Sequence, residues 1–395
     1  MMQTDPPAFA SPSAPPSTSA EVSITASASV PSAVPHLVSA PGISAQQRLL
    51  NALANGGFPQ PDSIVEASTP IASPMRLALE WQGFLVSVGV QRFYAKVLLE
   101  DAAALIDIHV SATASRVAGV SGAAPLLLLA DMDHGVLLFQ ALPSGEWRSA
   151  CVDDLVAPQS LSALWALKRK VHRGSAAHAQ TEPLPTRDPE QDIVRLHAMC
   201  LRDNAHLPAD TNDIHQALLT VCQTLRATQT ASVSVHGDGV TSNVMVRESG
   251  ELMLVDFDRG GMADPWFDIA STLNELAELP AAWREGIAAW QGHCSDADYA
   301  RCRLYGLVDD WYWTLCCLWL SATSPRQHDF MKLAQWTLLR LRQGLKENRL
   351  DAWLSLIVQG GTAFATATAA GSAITGATTG TAATGEANHA TRGTT

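Results

Sequence analysis

The sequence predicts an α+β fold in two lobes, a small β-rich N-terminal lobe and a larger, mainly helical C-terminal lobe. Three observations carry this. Short β-rich runs cluster before Leu142 around a single Ala-rich helical stretch. Beyond Leu142 the apolar residues fall at helical spacing. Both ends are dominated by small and turn-forming residues. With about 150 residues per domain, 395 residues fit two or three domains or one two-lobed enzyme. The boundaries fall at 1–44 (tail), 45–142 (first lobe), 143–355 (second lobe) and 356–395 (tail). The tails are rich in Ala, Ser, Pro and Thr at one end and in Ala, Thr and Gly at the other, and are expected to be disordered.

Within the first lobe, 76–79 and 84–88 read as strands separated by a break at Gln82-Gly83. Arg92 to Leu99 follows as another strand, and Ala102 to Val120 as a helix ended by Gly122 to Pro125. Leu126–Leu129 and Gly135–Gln140 form two more strands around a turn at Asp131-Met132-Asp133. In the second lobe, Leu161, Leu164, Trp165 and Lys168 share a helical stripe, with Lys168 its polar edge. Ile214, Leu218, Val221, Cys222 and Leu225 make a cleaner stripe, capped by Thr211 or Asn212. Val233–Val235 and Leu252–Val255 read as short buried strands, and helices resume at Phe267. Ser295 with Asp298 forms a capping box.

Composition narrows the function. Hydrophobic residues make up 47% and charged residues 16%, enough for a sizeable core. The net charge of -12 argues against a nucleic-acid partner. It suits a cationic small molecule, although acidity also serves solubility. Seven dispersed cysteines, two of them adjacent at Cys316 and Cys317, suit reduced core thiols. The apolar run Trp311 to Leu320 is too short to span a bilayer, so no membrane partner is expected. No basic region leads into an apolar one at the N-terminus, so a cytoplasmic location is expected.

The chemistry concentrates between Val235 and Asp258. Asp238 is followed five positions later by Asn243, and a hairpin turning at Glu248-Ser249-Gly250 leads to Asp256. Phosphoryl transfer needs one carboxylate to orient the acceptor hydroxyl and oxygen ligands to hold magnesium on the triphosphate. Two aspartates and an asparagine supply those groups, the asparagine without adding charge beside the phosphates.

The pattern HGDxxxxN with DFD resembles the aminoglycoside phosphotransferase and choline kinase superfamily, which shares the protein-kinase-like fold. DPWFDIA beyond it matches the same family's continuation. The resemblance implies Asp238 as the catalytic carboxylate and Asn243 and Asp256 as magnesium ligands, with Asp258 a further one. It implies that His236 braces the loop and the metal-binding strand, and that Asp268 hydrogen-bonds the loop backbone. ATP and Mg2+ are the implied cofactors.

Such a fold needs a strand lysine for the α- and β-phosphates. Lys96 is the one lysine in its apolar strand, where it either points into a cleft or marks a sheet edge. An acid on the next helix should pair with it. Asp107 is best placed, although the family uses Glu, and Glu100 and Asp101 lie near. No G-x-G-x-x-G precedes Lys96, and a phosphate-covering loop falls within Ser68 to Met75 or at Gln82-Gly83. The hinge is expected near Phe139 to Leu142, and His197 is expected to be a buried structural residue.

The acceptor is less legible. Asp309, Asp310, Tyr312 and Trp313 share a helix, so Asp309 and Trp313 suit an ammonium group through charge and cation–π attraction. A core helix with internally committed acids fits equally. The resemblance implies a hydroxyl acceptor such as choline, ethanolamine, thiamine or an aminoglycoside. Two alternatives remain open at this point. One is a non-catalytic nucleotide-binding module. The other is a metal-dependent hydrolase using His236, Asp238, Asp256 and Asp258.

Overall fold

A computed structural model describes residues 42–360, except 68–70, 74–75, 78–79, 144, 179–182, 230 and 347–348. Most of both predicted tails lies outside these residues. The C-terminal helical stretch 350–360 runs past the expected boundary at 356, because Trp353 and Ile357 are buried.

The first lobe opens with α1 (Ala45–Asn55), which the sequence reading did not place. Strands β1 (Ser63–Glu66), β2 (Ile71–Ser73), β3 (Arg76–Leu77), β4 (Trp81–Val88) and β5 (Gln91–Leu98) follow. Then come a 3-10 turn (Glu100–Leu105), α2 (Ile108–Val120), β6 (Leu127–Asp131) and β7 (Val136–Gln140). The main sheet has the antiparallel order β1-β4-β5-β7-β6. Its two faces follow the period-two alternation of strand side chains. Phe84, Val86, Phe93, Ala95 and Val97 pack on Leu49, Ala52 and Leu53 of α1. Leu85, Tyr94 and Lys96 turn to the opposite face, toward the second lobe. Two expectations change here. β4 runs unbroken through Gln82-Gly83. The helix expected from Ala102 starts only at Ile108, after a kink at Ile106-Asp107.

The second lobe comprises β8 (Trp147–Ser149), α3 (Val152–Leu155), α4 (Pro158–His178), α5 (Pro189–Arg202) and α6 (Thr211–Ala227). The motif segment then supplies β9 (Val233–Val235), a 3-10 turn (Thr241–Asn243), β10 (Val244–Arg247), β11 (Leu252–Leu254) and β12 (Gly261–Ala263). Helices α7 (Pro265–Leu276), α8 (Pro280–Gln291), α9 (Asp296–Thr323) and α10 (Phe330–Lys346) complete it. The α9 helix is the spine. It is buried almost all round from Leu304 to Leu320, and its N-terminus carries the expected Ser295–Asp298 capping box. Asp210, rather than Thr211 or Asn212, occupies the N-cap of α6. Lys168 is no stripe edge but lies fully inside the core. The hairpin β10–β11 is extended by β8, which ties the interlobe connection to the motif segment. His197, expected to be buried, is half-buried, its ring tilted against that of buried His215 at 4.1 Å between centroids. Among the described residues no helix is long and apolar enough to cross a membrane, and all seven cysteines are free.

Candidate active site

A cavity of about 540 Å³ opens between the sheet of the first lobe and the β10–β11 hairpin. Lys96, Asp238, Asn243 and Asp256 all line it. Its other end is apolar, walled by Leu85 and Phe139 one row of the sheet away from Lys96. The expected hinge, Phe139 to Leu142, borders that end. The described part of the expected phosphate-covering loop, Ile71–Ser73, approaches Thr241–Asn243, whereas Ser68–Pro70 and Pro74-Met75 lie outside the described residues.

Asp238 is held by short-range backbone geometry. Its Oδ1 accepts from the Val240 amide at 3.0 Å and its Oδ2 from Asn243 Nδ2 at 3.1 Å. The loop can take this path because residue 239 has no side chain. A Cβ there would lie 1.9 Å from the Ser271 carbonyl oxygen of α7. His236 links the two halves of the motif. Its Nδ1 is 2.7 Å from the Asp238 carbonyl oxygen and its Nε2 is 2.9 Å from that of Val255, the residue before Asp256. Asp268 lies wholly inside and accepts from Gly237 N at 3.1 Å and, more weakly, from His236 N at 3.4 Å. Lys168 and His172 of α4 complete its coordination at 2.8 and 2.9 Å. Burial opposes the Asp268 charge, but the Lys168 ammonium and the His172 hydrogen bond outweigh it and hold the carboxyl far below its ordinary range.

Across the cavity, Lys96 Nζ lies 2.8 Å from Asp256 and 3.6 Å from Asp258. Burial opposes the ammonium charge, yet the two carboxylates dominate and hold it above its usual range. Asp256 itself is drawn down by Lys96 against its own burial. Its backbone has φ +67°, a left-handed conformation that Asp tolerates better than most residues. Burial and the Asp256 charge push the Asp258 carboxyl up to about 7. One Asp258 oxygen accepts from the Trp81 indole, and the other is buried without a partner.

That orphaned oxygen bears on magnesium. Two buried acids at Lys96, one with an unpartnered oxygen, have the charge and the free lone pair that a divalent cation takes. Asn243 turns its nitrogen to Asp238, which leaves its oxygen as the ligating atom. Two carboxylates and a carboxamide fit magnesium, which takes its remaining ligands from water and phosphate. Among the described residues no cluster of three or more His, Cys, Asp or Glu forms a denser cage of the kind a hydrolytic metal centre would use.

Three predicted residues stand elsewhere. Asp107 does not reach Lys96. It caps α2, accepting from the amides of His109 at 3.0 Å and Val110 at 3.3 Å. Asp101 is engaged by Arg326 at 2.7 Å. The face that α2 turns to the cavity carries Ser115 instead of an acid. The nearby acid is Glu80, at the edge of β4, which burial and then Asp258 and Asp256 push up to about 8. Trp81 joins it, its ring 4.5 Å from Lys96 Nζ. Nothing in the local sequence marked Glu80 or Trp81, because their roles come from strand pairing with residues 98 and 99.

The third is Asp309, whose carboxylate meets Arg259 in the interior. The guanidinium lies 4.0 Å from the Tyr312 ring centroid, 5.3 Å from that of Phe267 and 5.4 Å from that of Trp313. The acid and the aromatic rings read as an ammonium site thus enclose a side chain of the protein itself. Trp313 does reach the cavity wall. Asp310 is likewise engaged, by Arg340 and Asn274. Asp309→Asn should therefore act on stability, lowering it by about 3–5 kcal/mol by leaving a buried guanidinium unpaired. Urea unfolding measures this. A stable variant with a raised acceptor KM would instead return Asp309 to substrate binding.

The model of a family described as "Phosphotransferase enzyme family" matches residues 90–305. A search of curated proteins finds no match. Among solved structures, the chain is similar to a choline/ethanolamine kinase family protein from Mesorhizobium loti, with TM-score 0.62 and 19% identity over 79% of this chain and 98% of that one. It is similar to the choline kinase LicA from Streptococcus pneumoniae, with TM-score 0.57 and 14% identity over 75% and 99%. A GDP complex of an aminoglycoside 2'-phosphotransferase-IIIa mutant aligns with TM-score 0.53 and 12% identity over 78% and 99%. These likenesses establish the two-lobed kinase-like fold.

Proposed function

The chain belongs to the phosphotransferase enzyme family, and from that premise we propose that it transfers the γ-phosphate of ATP to an alcohol hydroxyl of a polar small molecule. The observation that carries this reading is the meeting of Asp238, Asn243, Asp256 and Lys96 on the walls of one cavity whose far end is apolar. The apolar end suits a nucleotide base and the charged end suits its phosphates. The solved relatives support the nucleotide, since one of them is a GDP complex.

Asp238 accepts the proton of the acceptor hydroxyl. Its two oxygens are already oriented by Val240 N and Asn243 Nδ2, so little reorganisation accompanies the reaction. As the acceptor oxygen bonds to the γ-phosphorus, the bond to the β–γ bridging oxygen breaks and ADP leaves. Lys96 neutralises charge on the non-transferred phosphates. Asn243, Asp256 and Asp258 would hold magnesium, which when bound neutralises the charge that develops on the transferred group. His236 and Asp268 fix the loop through its backbone.

The same relatives include kinases named for choline, ethanolamine and aminoglycosides, and such hydroxyl compounds are the first acceptors to try. With Asp309 committed to Arg259, charge recognition by that carboxylate is not expected to select among them. The test is a screen with labelled ATP and magnesium against choline, ethanolamine, thiamine, an aminoglycoside and neutral polyols. Acceptor-dependent transfer of label is expected. Nucleotide binding with no transfer to any alcohol would support the alternative, a nucleotide-binding module.

A further inference from the structure

We propose that Tyr94 is a nucleotide-binding residue, and that position 83 is glycine in order to seat its hydroxyl. The inference rests on the nucleotide of the reading above and not on its acceptor. It starts from the pairing of the sheet. Leu85, Tyr94 and Phe139 stand opposite one another on β4, β5 and β7, and all three face the cavity. Gly83 and Lys96 form the next cavity-facing row, about 7 Å along the strands. The first row lies on the hinge side, over the apolar end, and the second carries the phosphate lysine.

The Tyr94 ring does not stay on its own row. A Cβ at residue 83 would lie 2.5 Å from Tyr94 Oη and 3.2 Å from Cζ. The hydroxyl therefore occupies the space that any side chain at 83 would take. Glycine weakens a strand interior, so its presence in the middle of β4 calls for a local reason, and close approach of another group is one. Gly83 falls where the sequence suggested a phosphate-covering loop, but the chain there is regular strand.

The hydroxyl is placed at a chemical boundary. Leu85 and Phe139 stand on the row from which Tyr94 starts, and its hydroxyl reaches the row of Lys96, where the Lys96 and Asp256 charges act on it. Among the described residues it donates to no protein group. Burial pushes the phenol up, so the O–H stays a neutral donor. A neutral donor between an apolar base site and a cationic phosphate site faces the sugar and the first phosphate of a nucleotide. Tyr94 thus supplies part of what a glycine-rich phosphate loop supplies through backbone amides.

The test is calorimetric titration of ADP into the full chain and into Tyr94→Phe, Gly83→Ala and the double variant, with thermal melting to check folding. Loss of one neutral hydrogen bond should weaken ADP about 3- to 10-fold in Tyr94→Phe. Adenine alone should bind both proteins equally. Gly83→Ala should weaken ADP by at least as much, and its effect should shrink in the Tyr94→Phe background, where no oxygen meets the new methyl group. Wild-type affinity in Tyr94→Phe, or an equal effect of Gly83→Ala in both backgrounds, overturns the proposal while leaving the phosphotransferase reading intact. A folded wild-type chain that binds no ADP overturns both.

Discussion

Asp238→Ala is expected to lower turnover about a hundred- to ten-thousand-fold, the usual contribution of a positioned proton acceptor. ADP affinity should be nearly unchanged. Lys96 stands on the sheet of the first lobe, and its ion pair with Asp256 does not use Asp238. Asp238→Asn sharpens the test. It keeps the size of the side chain, but the new amide cannot take the hydroxyl proton. Single-turnover transfer of label together with ADP calorimetry separates the two steps. Turnover within tenfold of wild type in both variants would remove Asp238 from the chemistry. Loss of ADP binding in both would make it a residue of the nucleotide site instead.

The parts of this site that were legible in the sequence are those built from adjacent residues. Asp238 and Asn243 share one loop, and Asp256 follows across a hairpin closed at Gly250, so their spacing alone brings them together. Period-two alternation similarly separates Lys96 from Ala95 and Val97 without knowledge of the partner strands. What was not legible depends on pairing between distant segments. Lys168 looked like the polar edge of a stripe because its counter-ion lies one hundred residues away. Asp107 looked like a partner for Lys96, but the turn at Ile106 makes it a helix cap, and an aspartate with free amides two and three residues ahead satisfies those first. The aromatic rings and Asp309 of α9 carried the signature of a cation site, correctly in kind. The cation is Arg259, three residues past Asp256, and nothing in the local spacing says that it folds inward. Glu80, Trp81 and Tyr94 drew no notice because a strand residue acquires its role from whichever row it joins.

Asp268 is buried with Lys168, His172 and two backbone amides as partners, and Asp268→Asn is expected to destabilise the chain by about 3–5 kcal/mol, since it strands the Lys168 ammonium in the core. The pH dependence follows from the depressed carboxyl. The folded carboxyl titrates below the unfolded one, whose pKa is about 3.9. Its contribution is thus fully present above that value and is lost as pH falls toward the folded pKa. Wild type should therefore lose more stability than Asp268→Asn on acidification below about pH 4, and urea unfolding at several pH values measures the difference. A second variant separates the ion pair from the loop. Replacing the pair by Asp268→Leu with Lys168→Met removes both charges and should recover much of the stability. It cannot accept from Gly237 N or His236 N, so the Asp238 loop loses its anchor. Turnover should then stay low in a well-folded protein. If activity returned along with stability, Asp268 would be an ordinary core ion pair, and the shape of the Asp238 loop would have to come from His236 and the Gly239–Ser271 contact alone.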